Sequence, residues 1–150
     1  MSEQHFQPLI ALARATAARH NLSPDLVCAV VEQESRWNTW AIRFEPAFEQ
    51  RYIHPAVATA PTTEELSLAV SWGLMQVMGQ CAREHGFQER FFTSLCRPEI
   101  GLEIGCRILS YKWAQAKENA EATLQHWNGG GNPSYASEVV ARIKRYSDSA

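Results

Sequence analysis

No stretch of this 150-residue chain reaches the ~18 uninterrupted apolar residues that a membrane-spanning helix requires, so no membrane insertion is expected. Its four cysteines, Cys28, Cys81, Cys96 and Cys106, form no C-x-x-C pair and sit in apolar, helix-like surroundings, which reads as reduced core thiols. The five histidines share no H-x-x-x-H or His/Cys ligand spacing and nothing resembles a calcium loop, so neither a metal nor a cofactor is expected. Charge of one sign is also scarce. Fourteen Lys and Arg against 16 Asp and Glu leave a net charge of −2, and the basic residues are scattered, which speaks against nucleic acid and anionic membrane surfaces as partners. The opening "MSEQHFQPLIALARA" lacks a basic region leading into an apolar core, so no classical export signal is expected. Finally, no period-2 apolar run stands between turn signals, so no sheet is expected.

What is present is apolar spacing of helical period along almost the whole chain, and the reading is all-α, one compact domain spanning 1–150. A first helix is predicted over Phe6 to His20. A second starts at "SPDL", where Ser23 can cap and Pro24 suits the first helical position, and ends near Ser35. From 36 to about 61 the chain holds Pro46, Pro55 and Pro61 among aromatics, an irregular excursion long enough to suggest a functional insertion. Thr62 and Glu65 match a capping box. A short turn at Trp72 and Gly73 leads into a helix ending at Gly86. Pro98 opens a helix through Lys117 with Ile100, Ile104, Ile108 and Tyr111 as a buried stripe, and a last helix runs from Pro133 or Ser134 to Tyr146.

Chemistry is suggested first by "EQESRWN", Glu32 to Asn38. Val27, Val30 and Val31 define an apolar face, and a step of four from Val30 or seven from Val27 lands on Glu34. Glu32, about 200° away around the helix, is assigned with Asp25 and Ala29 to the wet face. A carboxyl among valines and close to Trp37 loses hydration, and its pKa rises toward what a general acid needs near neutral pH. The plainer alternative is a carboxylate turned to solvent at the helix end or paired with Arg36 or Arg43.

Two further stretches are unusual. In "SWGLMQVM", Gly73 suits a tight turn and Gln76 places an amide among apolar neighbours, although a buried helix start with Met as filler reads as well. In "HWNGGGNPSY", three glycines allow close backbone approach, with Trp127 and Asn128 offering a stacking surface and an amide; the plainer reading is a loop with Asn132 capping the last helix.

Taken in order, "ES" at the end of an apolar helix, "GLMQ", an aromatic-Asn-Gly segment and "YASEVVARIKRY" resemble the lysozyme-like lytic transglycosylases and goose-type lysozymes of glycoside hydrolase family 23, over about residues 8 to 146. The resemblance implies a lysozyme-like fold and cleavage of the β-1,4 bond between N-acetylmuramic acid and N-acetylglucosamine in peptidoglycan strands. It assigns the catalytic acid/base to Glu34 and substrate contacts to Ser71, Met75, Gln76, Trp127, Asn128 and Tyr135; Ser35 is read as structural. Where the family commonly has Tyr before Asn, this chain has Trp127, which removes a hydroxyl but keeps a stacking surface. The excursion "AIRFEPAFEQRYIHP" is longer than usual and resembles Arg-aromatic-Glu-Pro insertions of phage and prophage members.

Two routes follow from the resemblance. In lytic transglycosylation Glu34 acts alone, first as acid and then as base toward the muramoyl C6 hydroxyl. Inverting hydrolysis instead needs a second carboxylate about 6.5–9.5 Å away to activate water, for which Glu45 is the candidate and Glu49 the weaker one. A non-catalytic glycan-binding module on the same fold is the third reading. A monomer is expected, made in the cytoplasm and delivered to the cell wall by holin release, in a virion or by a specialised secretion machine.

Overall fold

The computed structural model describes residues 6–53 and 62–147. Pro55 and Pro61 of the predicted excursion lie outside the described residues. Helices α1 (Gln7–Arg19) and α2 (Pro24–Ser35) come first, followed by β1 (Ile42–Phe44), the short α3 (Pro46–Phe48) and a π-helical turn at Glu49–Ile53. Then come α4 (Thr63–Leu68), β2 (Val70–Trp72), β3 (Val77–Met78), α5 (Gly79–Glu84), a 3₁₀ turn at Phe92–Cys96, and α6 (Pro98–Gln115), α7 (Ala120–Asn128) and α8 (Tyr135–Ser147). The fold is mainly α, as the periodicity predicts.

The predicted caps form. Ser23 Oγ accepts from the Leu26 N–H ahead of Pro24, and Thr62 and Glu65 make the reciprocal capping box. Helix α2 is the centre of the core: Leu26 through Val31 are all at most 3% exposed, enclosed by α1 on one side and α8 on the other. An amphipathic helix would leave one face wet; α2 leaves none over this stretch. That corrects the expected wet face. Ala29 is fully buried, Asp25 pairs with Arg14 at 2.8 Å, and the half-buried Glu32 accepts from Tyr146 Oη at 2.8 Å and pairs with Arg145 at 2.8 Å.

A three-stranded antiparallel sheet, ordered β1-β2-β3, was not foreseen. Its strands have at most three residues, too few to display a period. It pairs Arg43 with Ser71 and Phe44 with Val70, then Ser71 with Met78. "SWGLMQVM" is therefore a strand, a tight turn and a second strand, and the helix starts only at Gly79. In α6, Ile104 and Ile108 are buried and Ile100 partly so, but Tyr111 is 56% exposed and meets His85 edge-on instead of completing the stripe. All four cysteines are free thiols; burial pushes Cys28 and Cys106 up to about 12, so they behave as core groups.

Candidate active site

Glu34 stands at the last turn of α2, where the chain breaks away sharply. Arg36 (φ 51°) and Trp37 (φ 65°) are consecutive left-handed residues, and Trp37 turns back into the core at 5% exposure. The side chain of Glu34 remains half-buried, and two donors meet one of its oxygens. Trp127 Nε1–H donates to Glu34 Oε1 at 3.0 Å and Tyr135 Oη–H donates to the same atom at 2.5 Å. Both come from the α7–α8 junction. Gly129 and Gly130, at φ 66° and 82°, reverse the chain there, and only this reversal brings residues eight apart in sequence onto one atom. The glycine run thus works through the side chains that flank it. Asn128 Nδ2 donates to Asn132 O and Asn132 Oδ1 accepts from the Ser134 N–H, so both amides serve the junction.

The missing phenolic hydroxyl expected at Trp127 is therefore replaced by an indole N–H. Tryptophan carries a donor but no acceptor, which suffices for a carboxylate oxygen. Tyr135, expected as a substrate contact, is only 4% exposed and its hydroxyl is turned to Glu34. Burial and the neighbouring Glu34 both push its phenol upward, so it stays protonated and remains a donor.

Burial is the largest influence on Glu34 and raises its pKa; the hydrogen bonds from Tyr135 and Trp127 and the charge of Arg43 oppose it, while the charge of Glu45 adds to it. Arg43 and Glu45 therefore lie within electrostatic reach of Glu34, on and just after β1. Glu45 is not a free base: its Oε1 accepts from Arg43 Nε at 2.6 Å and, more weakly, from Ser71 Oγ at 3.4 Å. Cross-strand pairing of Arg43 with Ser71 puts both donors beside it. Arg43 is a member of this site that the sequence reading considered only as a salt-bridge partner. No periodic signal pointed to it, because Ile42, Arg43 and Phe44 are all exposed on a three-residue strand.

The "GLMQ" residues support the site from below. Met75 is fully buried, its Sδ packed where α6 has Gly105, so the expected contact of Met75 with a sugar is not available in this structure. Gln76 (φ 47°) donates from Nε2 to Ala41 O at 2.9 Å and Gly73 O at 3.0 Å, tying the turn to the residue before β1. Ser71 is 4% exposed and its hydroxyl donates to Glu45 Oε1 at 3.4 Å. Of the predicted residues, the structure brings Glu34, Trp127 and Tyr135 into one cluster, with Glu45 and Ser71 facing it. Met75 and Gln76 hold the scaffold, and Asn128 the adjoining junction.

Removing the Tyr135 hydroxyl with phenylalanine keeps the ring and deletes one donor. Glu34 is then expected to titrate higher still, which, on the acid/base role that the resemblance implies for it, moves the alkaline limb of the pH–activity profile upward. Activity at the optimum is expected to fall about tenfold, the equivalent of a charge-assisted hydrogen bond of ~1.5 kcal/mol. A pH–rate profile with an unmoved alkaline limb would remove Tyr135 from the tuning of Glu34.

Among the described residues no His, Cys, Asp and Glu cluster could hold a metal ion, and no helix is long and apolar enough to cross a membrane. A family model described as the transglycosylase SLT domain matches residues 11–144. No curated protein and no solved structure matches the chain. A match over nearly the whole length, enclosing Glu34, Trp127 and Tyr135, means that the chain belongs to the transglycosylase SLT domain family.

Proposed function

We propose that this protein cleaves the MurNAc-β-1,4-GlcNAc bond of peptidoglycan by lytic transglycosylation, with Glu34 as acid and then base. The observation that carries this is the convergence of Trp127 and Tyr135 on Glu34 Oε1. Burial favours the neutral acid, so a proton is available for the glycosidic oxygen. As the C1–O bond breaks, that proton goes to the leaving 4-oxygen and Glu34 becomes a carboxylate, which the two donors then stabilise. The carboxylate takes the proton of the muramoyl C6 hydroxyl as its oxygen attacks C1, which closes the 1,6-anhydro ring and restores the acid. Atoms and protons balance with one carboxyl group and no water.

The inverting alternative assigns water activation to Glu45, whose charge Glu34 senses. Against it stands the 2.6 Å contact with Arg43, which occupies one oxygen of that carboxylate. Digestion of purified sacculi followed by mass spectrometry separates the routes: 1,6-anhydromuramic ends are expected, and products with reducing ends only would end the transglycosylase reading. Glu45→Gln is expected to keep activity within about tenfold, whereas loss of a general base costs about 10²–10⁴-fold. A non-catalytic wall-binding module would bind sacculi and release nothing. Origin in a phage or prophage is part of the same proposal and rests on the Arg-aromatic-Glu-Pro stretch of the excursion.

A further inference from the structure

The turn that follows Glu34, at Arg36 and Trp37, also borders a concavity. A pocket of about 340 Å³ is bounded by α1, the end of α2 and α8, with Arg14, Arg36, Arg142, Arg145, Trp37 and Ile10 among its walls. It opens on the side of Glu32, about 200° around α2 from Glu34 at 3.6 residues per turn. Half of its lining, Phe6, Gln7, Ile10, Arg145 and Tyr146, lies outside the family match of 11–144, so it is not a feature that the match describes.

Four arginines on one pocket are unusual in a chain with net charge −2. Carboxylates offset only part of this. Asp25 takes Arg14 at 2.8 Å, and Glu32 takes Arg145 at 2.8 Å but stands 4.0 Å from Arg142. Arg142 donates from Nη1 to Glu138 O, and its Nε, the atom 4.0 Å from Glu32, makes no hydrogen bond among the described residues. The guanidinium of Arg36 has no hydrogen bond or ion pair among the described residues. Arg36 and Trp37 reach these positions through two successive left-handed conformations, which non-glycine residues adopt only where the surroundings hold them. The result is a positive recess with an apolar wall, which suits an oxyanion joined to a small apolar group.

We propose that this pocket is a ligand site for the carboxylate end of a short peptide, gripped by Arg36 and Arg142, with the adjoining small side chain against Trp37 and Ile10. The choice of a peptide rests on the wall-cleaving reading, because the stem peptides carried by muramic acid end in such carboxylates. One face of α2 then cleaves glycan while the other holds a peptide.

The test is an NMR titration of the full chain with N-acetyl-D-alanyl-D-alanine, its C-terminal amide and inorganic phosphate, following the indole N–H of Trp37, which donates to Tyr146 Oη at 3.0 Å. The acid is expected to give a saturable shift that weakens with salt, and the amide none. Arg36→Gln, a surface change, is expected to weaken binding about tenfold with an unchanged circular-dichroism spectrum. Saturable binding of phosphate but not of the peptide would overturn the peptide assignment, and no saturable shift with either would overturn the site. Glu34→Gln should bind the dipeptide normally. A wild-type chain that binds it yet releases nothing from sacculi leaves the pocket standing and removes the wall reading, whereas one that cuts sacculi without binding does the reverse.

Discussion

Glu34→Gln is expected to fold normally and to release soluble wall fragments about 10²–10⁴-fold more slowly than the wild type. Glutamine keeps the shape and still offers an oxygen to the Trp127 and Tyr135 donors. What it loses is the transferable proton, and both halves of the proposed cycle need that. The same substitution carries a stability signature of defined sign. The folded-state pKa of Glu34 lies above the ordinary carboxyl value because burial penalises the charge. The native state therefore holds its proton to higher pH than the unfolded chain does, and stability falls as pH rises from the unfolded value through the folded one. Above that window the ionised, partly desolvated carboxylate is a net cost that glutamine does not bear. The variant is thus expected to be at least as stable as the wild type at neutral pH, with a flatter dependence of stability between mildly acidic and neutral pH. Paired urea titrations at several pH values check this. Near-normal lysis by a folded Glu34→Gln protein would sink the catalytic assignment, and a marked loss of stability at neutral pH would show that the carboxylate is instead a structural partner.

Helix phase singled out Glu34 because the signal was local: Val27, Val30 and Val31 lie within two turns of it, and one element suffices to read it. Glu32 was misassigned for the complementary reason. Its partners Tyr146 and Arg145 come from the other end of the chain, and the periodicity of α2 contains no information about what α8 brings. The small sheet escaped notice because register between strands of two or three residues is set by the turn and the packing below it rather than by alternation. Trp127 was legible in principle. Reading it only as a stacking face set aside its indole N–H, although a buried tryptophan usually finds an acceptor. Met75 shows the limit of a motif read without its neighbours, since its side chain is fully buried against Gly105 of α6, a packing partner 30 residues away in sequence.

Gly73→Ala is expected to destabilise the fold by about 3 kcal/mol or more, a large part of the 5–15 kcal/mol that holds a typical domain. Gly73 sits at φ 68°, a left-handed conformation that costs an ordinary residue roughly 1–2 kcal/mol. Space makes it worse: a Cβ there would lie 2.3 Å from Leu95 O and 3.2 Å from Leu95 C, which are backbone atoms and cannot swing aside. Leu95 O cannot retreat, because a Cβ on Gly101 of α6 would meet the same oxygen at 2.4 Å; the carbonyl is wedged between two glycines. Gly130 supplies the control. Its φ is 82° but nothing lies within 4 Å of a Cβ, so Gly130→Ala is expected to cost only the conformational part, about 1–2 kcal/mol. With a urea slope of about 1–3 kcal/mol/M, Gly73→Ala should lower the unfolding midpoint by about 1–3 M, and clearly more than Gly130→Ala does. Equal midpoints for the two variants would mean that the Leu95 carbonyl yields after all. The loss extends to the site, because Gly73 N–H donates to Ala41 O at 2.8 Å and Gln76 Nε2 bridges Ala41 O and Gly73 O. Through those bonds the turn fixes where β1 begins, and β1 with the residue after it carries Arg43 and Glu45 to within electrostatic reach of Glu34.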